Sequence, residues 1–260
     1  MTDHIHPTAV IGKGAVLDPS CQVGPYCVLE DGVHIGAGTR LMAHVYVGRG
    51  TKIGAQNTIW PFSALGTEPQ DLKYAGEETH AEIGDHNTIR EHVTVHRGTS
   101  HGGGLTTVGS HNLLMVGSHV AHDCHVGSHT ILSHNCSLAG HVTVGDYASV
   151  GAYSAVHQFC RVGDHAFIGG FSVVTQDALP FVKTVGRRDT TIFGINKIGL
   201  ERKGFSKETL TQLNRAYRIL FNKGFRLTEA VAQVKEAFSD SREVSFLIDF
   251  IEASERGVVR

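Results

Sequence analysis

The sequence predicts a mainly β chain: a parallel β-helix of six-residue repeats followed by a C-terminal α-helical domain. Three observations carry this. Aliphatic residues recur every six positions from Ile5 to Leu65, again at Ile83, Ile89 and Val95, and again from Val108 to Val174. Glycine is abundant at 31 residues while aromatic residues make up only 7%, which suits a chain of turns and short strands. Beyond Pro180 the apolar spacing changes from six to that of an amphipathic helix.

The physics of the repeat follows from its period. A short strand points the aliphatic side chain inward and a turn follows. Three hexads close one triangular coil of about eighteen residues, and coils stack at roughly 4.8 Å, the spacing between paired strands. Residues 1–185 are expected to form this β-helix, and residues 186–260 a connecting segment with the helical domain. Met1-Thr2-Asp3-His4-Ile5-His6-Pro7 enters the repeat without a basic and apolar signal segment, and no apolar run is long enough to span a bilayer. The expectation is a soluble, cytoplasmic protein with no integral membrane association.

Two excursions interrupt the frame, at about 66–82 and 97–107. The first carries Gln70-Asp71-Leu72-Lys73-Tyr74-Ala75-Gly76-Glu77, with charges of both signs at Asp71 and Lys73. Departures from a regular solenoid tend to be functional. The second is centred on Gly102-Gly103-Gly104. It lacks the Lys-Ser/Thr ending and strand-to-helix setting of a phosphate-binding loop, so it reads as a flexible flap.

Cys21, Cys27, Cys124, Cys136 and Cys160 all occupy the fifth position of a hexad, which wants a small buried side chain. Their number is odd and no Cys-x-x-Cys occurs, so they read as packing residues. In the tail, Ser206 is placed to cap a helix bearing Leu210, Leu213, Tyr217, Leu220 and Phe221, with Gly224 as its stop. Thr228 is read as the cap of a second helix with Val231, Val234 and Phe238; a third covers Phe246, Leu247, Phe250 and Ile251. None of these stripes reads as a cofactor box.

Candidate chemistry centres on Ser118-His119-Val120-Ala121-His122-Asp123-Cys124-His125, where the repeat carries ionisable groups in place of bland ones. Adding eighteen to a residue number finds its neighbour one coil along. His122 stacks under Gly140 and then Gln158, Asp123 under His141, and His119 under Ser137, with His157 beside Gln158. This grouping suits acyl transfer. A neutral imidazole removes the proton of an attacking hydroxyl, a carboxylate such as Asp123 orients it, and a backbone N–H at Gly140 stabilises the oxyanion. A CoA-dependent acetyltransferase or, from His129 and His134 five apart, a zinc enzyme is the second reading, and a non-catalytic scaffold is the third.

Charge is uneven. Residues 196–260 hold 12 basic and 9 acidic residues, and the remainder 11 and 16. The basic end suits an acidic protein partner. The chain as a whole carries a net charge of −2 and no basic-aromatic pattern, which argues against nucleic acid.

Several stretches closely resemble the bacterial acyl-carrier-protein–UDP-N-acetylglucosamine O-acyltransferase family. They are the Asp71-Leu-Lys73-Tyr-Ala-Gly-Glu77 loop, Arg90-Glu91, Thr94-Val-His96-Arg97-Gly98-Thr99, His119-Val-Ala-His122-Asp123-Cys124, Leu138-Ala-Gly140-His141, Ala155-Val-His157-Gln158-Phe159 and Gly199-Leu200-Glu-Arg202-Lys-Gly204-Phe205. The resemblance covers the whole chain. It implies a left-handed β-helix, a homotrimer with sites between subunits, and no cofactor or metal. It also implies transfer of an (R)-3-hydroxyacyl chain from acyl carrier protein to the 3-hydroxyl of UDP-N-acetylglucosamine, the first step of lipid A synthesis. Carried over by motif, His122 is the general base and Gly140 the oxyanion donor. Asp71, Lys73, His119, His141 and His157 line the cleft. Gln158, Asn196 and Arg202 contact the nucleotide, and Gly170 marks the far end of the acyl groove. Two departures stand out: Ile198, where some members have an acid, and Lys203, where arginine is common.

Overall fold

In the computed structural model, which describes residues 4–187, 189–222 and 224–260, the hexads are two-residue strands separated by turns. Residues 1–3, at the start of the expected first domain, lie outside the described residues. The strands stack into three sheets of nine, eight and ten strands, the faces of a triangular prism, parallel throughout save for one terminal strand of the ten-stranded sheet. In each strand the second residue is the aliphatic one. Ile59, Ile89, Leu114, Leu132, Val150 and Ile168 form one such interior column, all fully buried. Each such side chain contributes about 1.5–3 kcal/mol relative to exposure.

Register is the consequence that matters for function. Where the repeat is unbroken, partners lie eighteen residues apart, as in Val120↔Leu138 and Leu138↔Val156. Across the first excursion Ala64 pairs with Thr94, and across the second Thr94 pairs with His119. The excursions themselves are residues 68–79 and 97–104. Ladder pairing continues through Thr67, resumes at His80, and resumes again at Leu105, so both are shorter than the lost frame suggests.

The corners are held by backbone and side-chain ladders. Buried Asn57, Asn87 and Asn112 each accept the N–H of the equivalent residue one coil on, and each donates to a neighbouring carbonyl. The corner also places one residue per hexad in the left-handed region. Seventeen described non-glycine residues have positive φ, most of them aromatic or histidine. That conformation costs about 1–3 kcal/mol per residue. Ring stacking offsets part of it: His86, His111, His129, Tyr147 and His165 form one column with centroids 4.6–4.8 Å apart.

All five cysteines are buried and unbridged, as small packing residues. Burial pushes the Cys124 and Cys136 thiols up to about 12, which removes them as nucleophiles at neutral pH. His129 stacks on His111 and Tyr147 at one corner. His134 meets Tyr153 edge-on at the next corner, so the two histidines do not converge on a metal.

Strands Val182–Val185 and Thr191–Ile195 pair antiparallel and close the last coil. Helices α1 (Lys197–Arg202), α2 (Lys207–Asn222), α3 (Leu227–Ala237) and α4 (Arg242–Glu252) follow. Ser206 caps α2 through the Thr209 N–H at 3.0 Å, and Gly224 lies just past its end at φ 73°. Thr228 does not cap α3: it is the second residue of the helix, and Arg226 stands at the cap without a side-chain hydrogen bond. The short helix α1 was not expected, because six residues around Gly199 show no stripe. The helices enclose their own core around Leu200, Leu213, Val234 and Leu247. Arg161 ties that core to the prism, bonding Asp177 at 3.0 Å and the Phe250 carbonyl at 2.9 Å. Among the described residues no helix is long and apolar enough to cross a membrane.

Candidate active site

One corner of the prism gathers the chemistry. His122, Gly140 and Gln158 succeed one another there, each followed by a residue at positive φ: Asp123, His141 and Phe159. The stacking is tight. His141 N–H donates to the His122 carbonyl at 3.0 Å, and Phe159 N–H to that of Gly140 at 3.2 Å. A Cβ placed on Gly140 would lie 2.6 Å from His122 Cε1, so the imidazole lies flat across the glycine. The Gly140 N–H finds no acceptor among the described residues. At the neighbouring corner the equivalent N–H groups of Ser128 and Asp146 are capped by Asp146 and Asp164 carboxylates.

His122 Nδ1 lies 2.9 Å from Asp123 Oδ2. A carboxylate oxygen only accepts, so Nδ1 carries a proton, and in the neutral ring Nε2 keeps its lone pair. Asp123 is 2% exposed and accepts from Thr99 twice, N–H at 2.9 Å and Oγ1–H at 2.6 Å. His141 Nε2 approaches the same oxygen at 3.9 Å. His122, Asp123 and His141 are close enough to share a metal ion. Asp123 is already engaged by three donors, which favours proton transfer over ligation.

The second excursion is packed on this corner and is no open flap. Thr99 is fully buried, and Gly98 and Gly102 lie so close to Asp123 that a Cβ on either would collide with its carboxylate. The loop also grips the first excursion. His101 Nε2 lies 3.1 Å from Asp71 Oδ2, and Ser100 Oγ donates to Glu77 at 2.8 Å. Arg97 reaches the Gly66 carbonyl at 3.2 Å and the Tyr74 hydroxyl at 2.7 Å. Asp71 is thereby drawn to the mouth of the site. The Lys73 N–H bonded to it, and then the nearby His101 and His122, hold its carboxyl below the ordinary range. Lys73 itself is exposed.

The remaining candidates sit around this centre at different depths. His119 bonds Thr94 Oγ1 at 2.7 Å and meets the His96 ring edge-on. Burial lowers the pKa of His119 and His141, and pushes that of His96 down to about 4. His157 and Gln158 are exposed beyond Gly140, with Arg256 Nη2 3.4 Å from His157 Nδ1. Asn196 accepts the Gly199 N–H at 3.3 Å, capping α1, and donates to the His165 carbonyl at 3.0 Å. Arg202 and Ile198 are exposed on α1, and Lys203 lies over the Tyr147 ring at 4.7 Å. Gly170 is at a different corner, one coil beyond Ala152. The sequence reading missed the roles of Thr94, Thr99 and His101. The first two lie in a quoted motif, and His101 lies in an excursion where no period predicts a neighbour.

Comparison with known proteins now places this geometry. The profile described as UDP N-acetylglucosamine O-acyltransferase, domain 2, matches residues 177–259, and a bacterial transferase hexapeptide profile matches 141–176. The Acinetobacter baumannii LpxA structure superposes with a TM-score of 0.96 at 47% identity, covering 99% of this chain and 100% of that one. The chain belongs to the UDP-N-acetylglucosamine O-acyltransferase family. The Moraxella catarrhalis UDP-N-acetylglucosamine O-acyltransferase matches at 45% identity and TM-score 0.96, covering 99% and 100% of the two chains. The Arabidopsis UDP-N-acetylglucosamine acyltransferase is more distant, at 32% identity and TM-score 0.82 over 98% of each chain. The protein is thus an acyltransferase built on a left-handed β-helix of hexapeptide repeats.

Proposed function

We propose that this protein transfers an (R)-3-hydroxyacyl chain from acyl carrier protein to the 3-hydroxyl of UDP-N-acetylglucosamine, opening lipid A synthesis. The observation that carries the reading is the oriented His122–Asp123 pair lying across the Gly140 backbone. With Nδ1–H bound to Asp123, Nε2 is free to take the proton of the sugar hydroxyl as the oxygen attacks the thioester carbonyl. The carbonyl oxygen gains charge and is met by the Gly140 N–H. Collapse of the tetrahedral intermediate expels the carrier thiolate, and His122 returns its proton to that sulfur. A base of this kind typically contributes 10²–10⁴-fold, and one oxyanion donor about 10²–10³-fold.

In this reading Asp71, Lys73, His119, His141 and His157 contact the sugar and acyl ester. Gln158, Asn196 and Arg202 serve the nucleotide; Asn196 contributes from a side chain already fixed by two internal bonds. The protein works as a cytoplasmic homotrimer in which neighbouring prisms complete each cleft, and it needs no cofactor. A cleft of about 670 Å³ on the helical domain is lined by Lys197, Lys207, Arg215 and Arg218, among others. Its charge suits the acidic carrier.

The test is to incubate the purified protein with UDP-N-acetylglucosamine and a mixture of carrier-bound 3-hydroxyacyl thioesters. Mass spectrometry should find the mono-O-acylated sugar nucleotide. Absence of that product with every chain length, or equal rates from the CoA thioesters, sinks the reading.

A further inference from the structure

The second excursion does more than close over the site: it supplies both hydrogen bonds that Asp123 receives from outside its own corner. We infer that Thr99 is a positioning residue that fixes the Asp123 carboxylate and, through it, the His122 imidazole. This rests on the reading of His122 as the general base.

Four observations converge on Thr99. Its N–H donates to Asp123 Oδ1 at 2.9 Å and its hydroxyl to Oδ2 at 2.6 Å, so one residue engages both carboxylate oxygens. Thr99 and Asp123 are 0% and 2% exposed, so no water competes for those bonds. Thr99 also stands at the N-cap of the short 3-10 turn Ser100–Gly102, yet its side chain makes no capping bond there. The hydroxyl faces the carboxylate in preference to the orphan N–H groups that an N-cap threonine ordinarily satisfies. Finally, Gly98 and Gly102 bring the loop backbone against Asp123 at a distance that no side chain would permit.

The geometry explains why two anchors are needed. Asp123 sits in the left-handed region at φ 56°, and its own N–H is taken by Thr106 Oγ1 at 2.8 Å. Its χ rotations would still let the carboxylate swing between His122 and His141, whose Nε2 is 3.9 Å away. Thr99 holds Oδ1 with the N–H and Oδ2 with the hydroxyl. The carboxylate plane is then set, and Oδ2 presents its second lone pair to His122 Nδ1. Losing the hydroxyl leaves the carboxylate in place, held by the Thr99 N–H at Oδ1 and by His122 at Oδ2, with Oδ2 freer to turn toward His141. Thr99 is fully buried and offers no surface to a substrate, so the loss should fall on turnover and not on binding.

The experiment measures kcat and both KM values for the full-length protein carrying Thr99→Val, Thr99→Ser, Asp123→Asn, and Thr99→Val with Asp123→Asn. Thr99→Val should lower kcat about 10- to 100-fold, the worth of one charge-assisted hydrogen bond, with each KM within about twofold. Thr99→Ser, which restores the donor, should recover kcat to within about threefold of the parent. On the Asp123→Asn background the valine should cost less than about twofold, because the two residues act as one unit. Full activity of Thr99→Val, failure of serine to rescue, or multiplicative losses in the double variant would each overturn the inference. If Thr99→Val does not fold, Thr99→Ala is read in its place with the same outcomes. His122→Ala separates the two levels. If it is inactive while Thr99→Val is fully active, only the role of Thr99 falls. If His122→Ala itself turns over normally, the base assignment falls.

Discussion

His122 Nδ1 and Asp123 Oδ2 stand 2.9 Å apart although the residues are chain neighbours, whose side chains ordinarily diverge. The reason is the positive φ of Asp123, which turns the chain at the corner and folds its carboxylate back under the preceding imidazole. Aspartate tolerates that region better than most residues. The corner of the β-helix thus makes a hydrogen-bonded imidazole–carboxylate pair from two successive positions.

From that pair comes the first prediction. His122→Ala should lose about 10²–10⁴-fold in kcat, the usual worth of a general base, and Asp123→Asn should fall in the same direction by leaving the tautomer unfixed. Both should keep the melting midpoint of the parent to within a few degrees. Steady-state kinetics and a melt check this, and His122→Ala within tenfold of the parent would refute it.

Gly140 offers a second test that leaves every titratable group in place. Its φ is ordinary for an alanine, but the added Cβ would lie 2.6 Å from His122 Cε1 and 2.8 Å from Nε2. The imidazole must turn away, since the backbone of a stacked coil cannot. Gly140→Ala should therefore cost about 10²-fold or more in kcat while the protein folds and still binds UDP-N-acetylglucosamine. Isothermal titration reports the binding, and unaltered turnover would show that His122 does not need its present place.

The sequence foretold this corner and not its supports, for a physical reason. From His122 to Gly140 to Gln158 no residue is inserted, so a constant increment of eighteen names each neighbour. Asp71, Thr99 and His101 lie in excursions, where contacts depend on side-chain chemistry and no period relates position to place. Arg97 and Ser100 set how the loops clasp, and neither charge nor spacing marks them out. Asn196 shows another limit. The family resemblance marks it as a nucleotide contact, but nothing in the spacing tells that its amide also caps α1 and anchors the helix to the His165 carbonyl. The Gly-rich triplet reads as mobile, whereas two glycines of that loop, Gly98 and Gly102, are what let it pack against a buried carboxylate.

His96 carries a prediction about acid stability. It is 5% exposed, and among the described residues its Nδ1 has no partner. Burial, and then the neighbouring His119 and His122, push its pKa down to about 4. An unfolded histidine titrates near 6.5, so between these values the unfolded chain binds a proton that the folded chain does not. Stability is therefore full above about pH 6.5 and is lost as the pH falls toward 4, by up to about 3 kcal/mol from this group. The lowered values of His119 and His141 act in the same direction. His96→Gln should be less stable at pH 7.5 but should show a shallower decline between pH 6.5 and 4.5. Chemical denaturation at each pH measures it, and parallel curves for parent and variant would rule out His96 as the group responsible.

Gly170 bears on acyl-chain length. It stands at a different corner from His122, and a Cβ there would meet only the Ala152 backbone, its carbonyl at 3.3 Å and its nitrogen at 3.9 Å. Tyr153 and Phe171, its stacked and exposed neighbours at that corner, offer an apolar surface beside it. In the proposed homotrimer this position would lie at the far end of an acyl groove running between subunits. With no side chain at Gly170 the groove stays open there, and a long 3-hydroxyacyl chain is the expected substrate. Each further buried methylene favours binding by about 0.8 kcal/mol, close to fourfold, until the groove ends. The backbone φ of Gly170 is not in the left-handed region, so a larger residue fits the chain conformation. Gly170→Met should fill the end of the groove and move the preferred substrate to a shorter chain, with kcat on that shorter chain close to the parent value. Competition among carrier-bound thioesters of increasing length, read by mass spectrometry, measures the shift. If parent and variant give the same length profile, the groove does not end at Gly170, and the glycine serves only the turn that leads into Phe171.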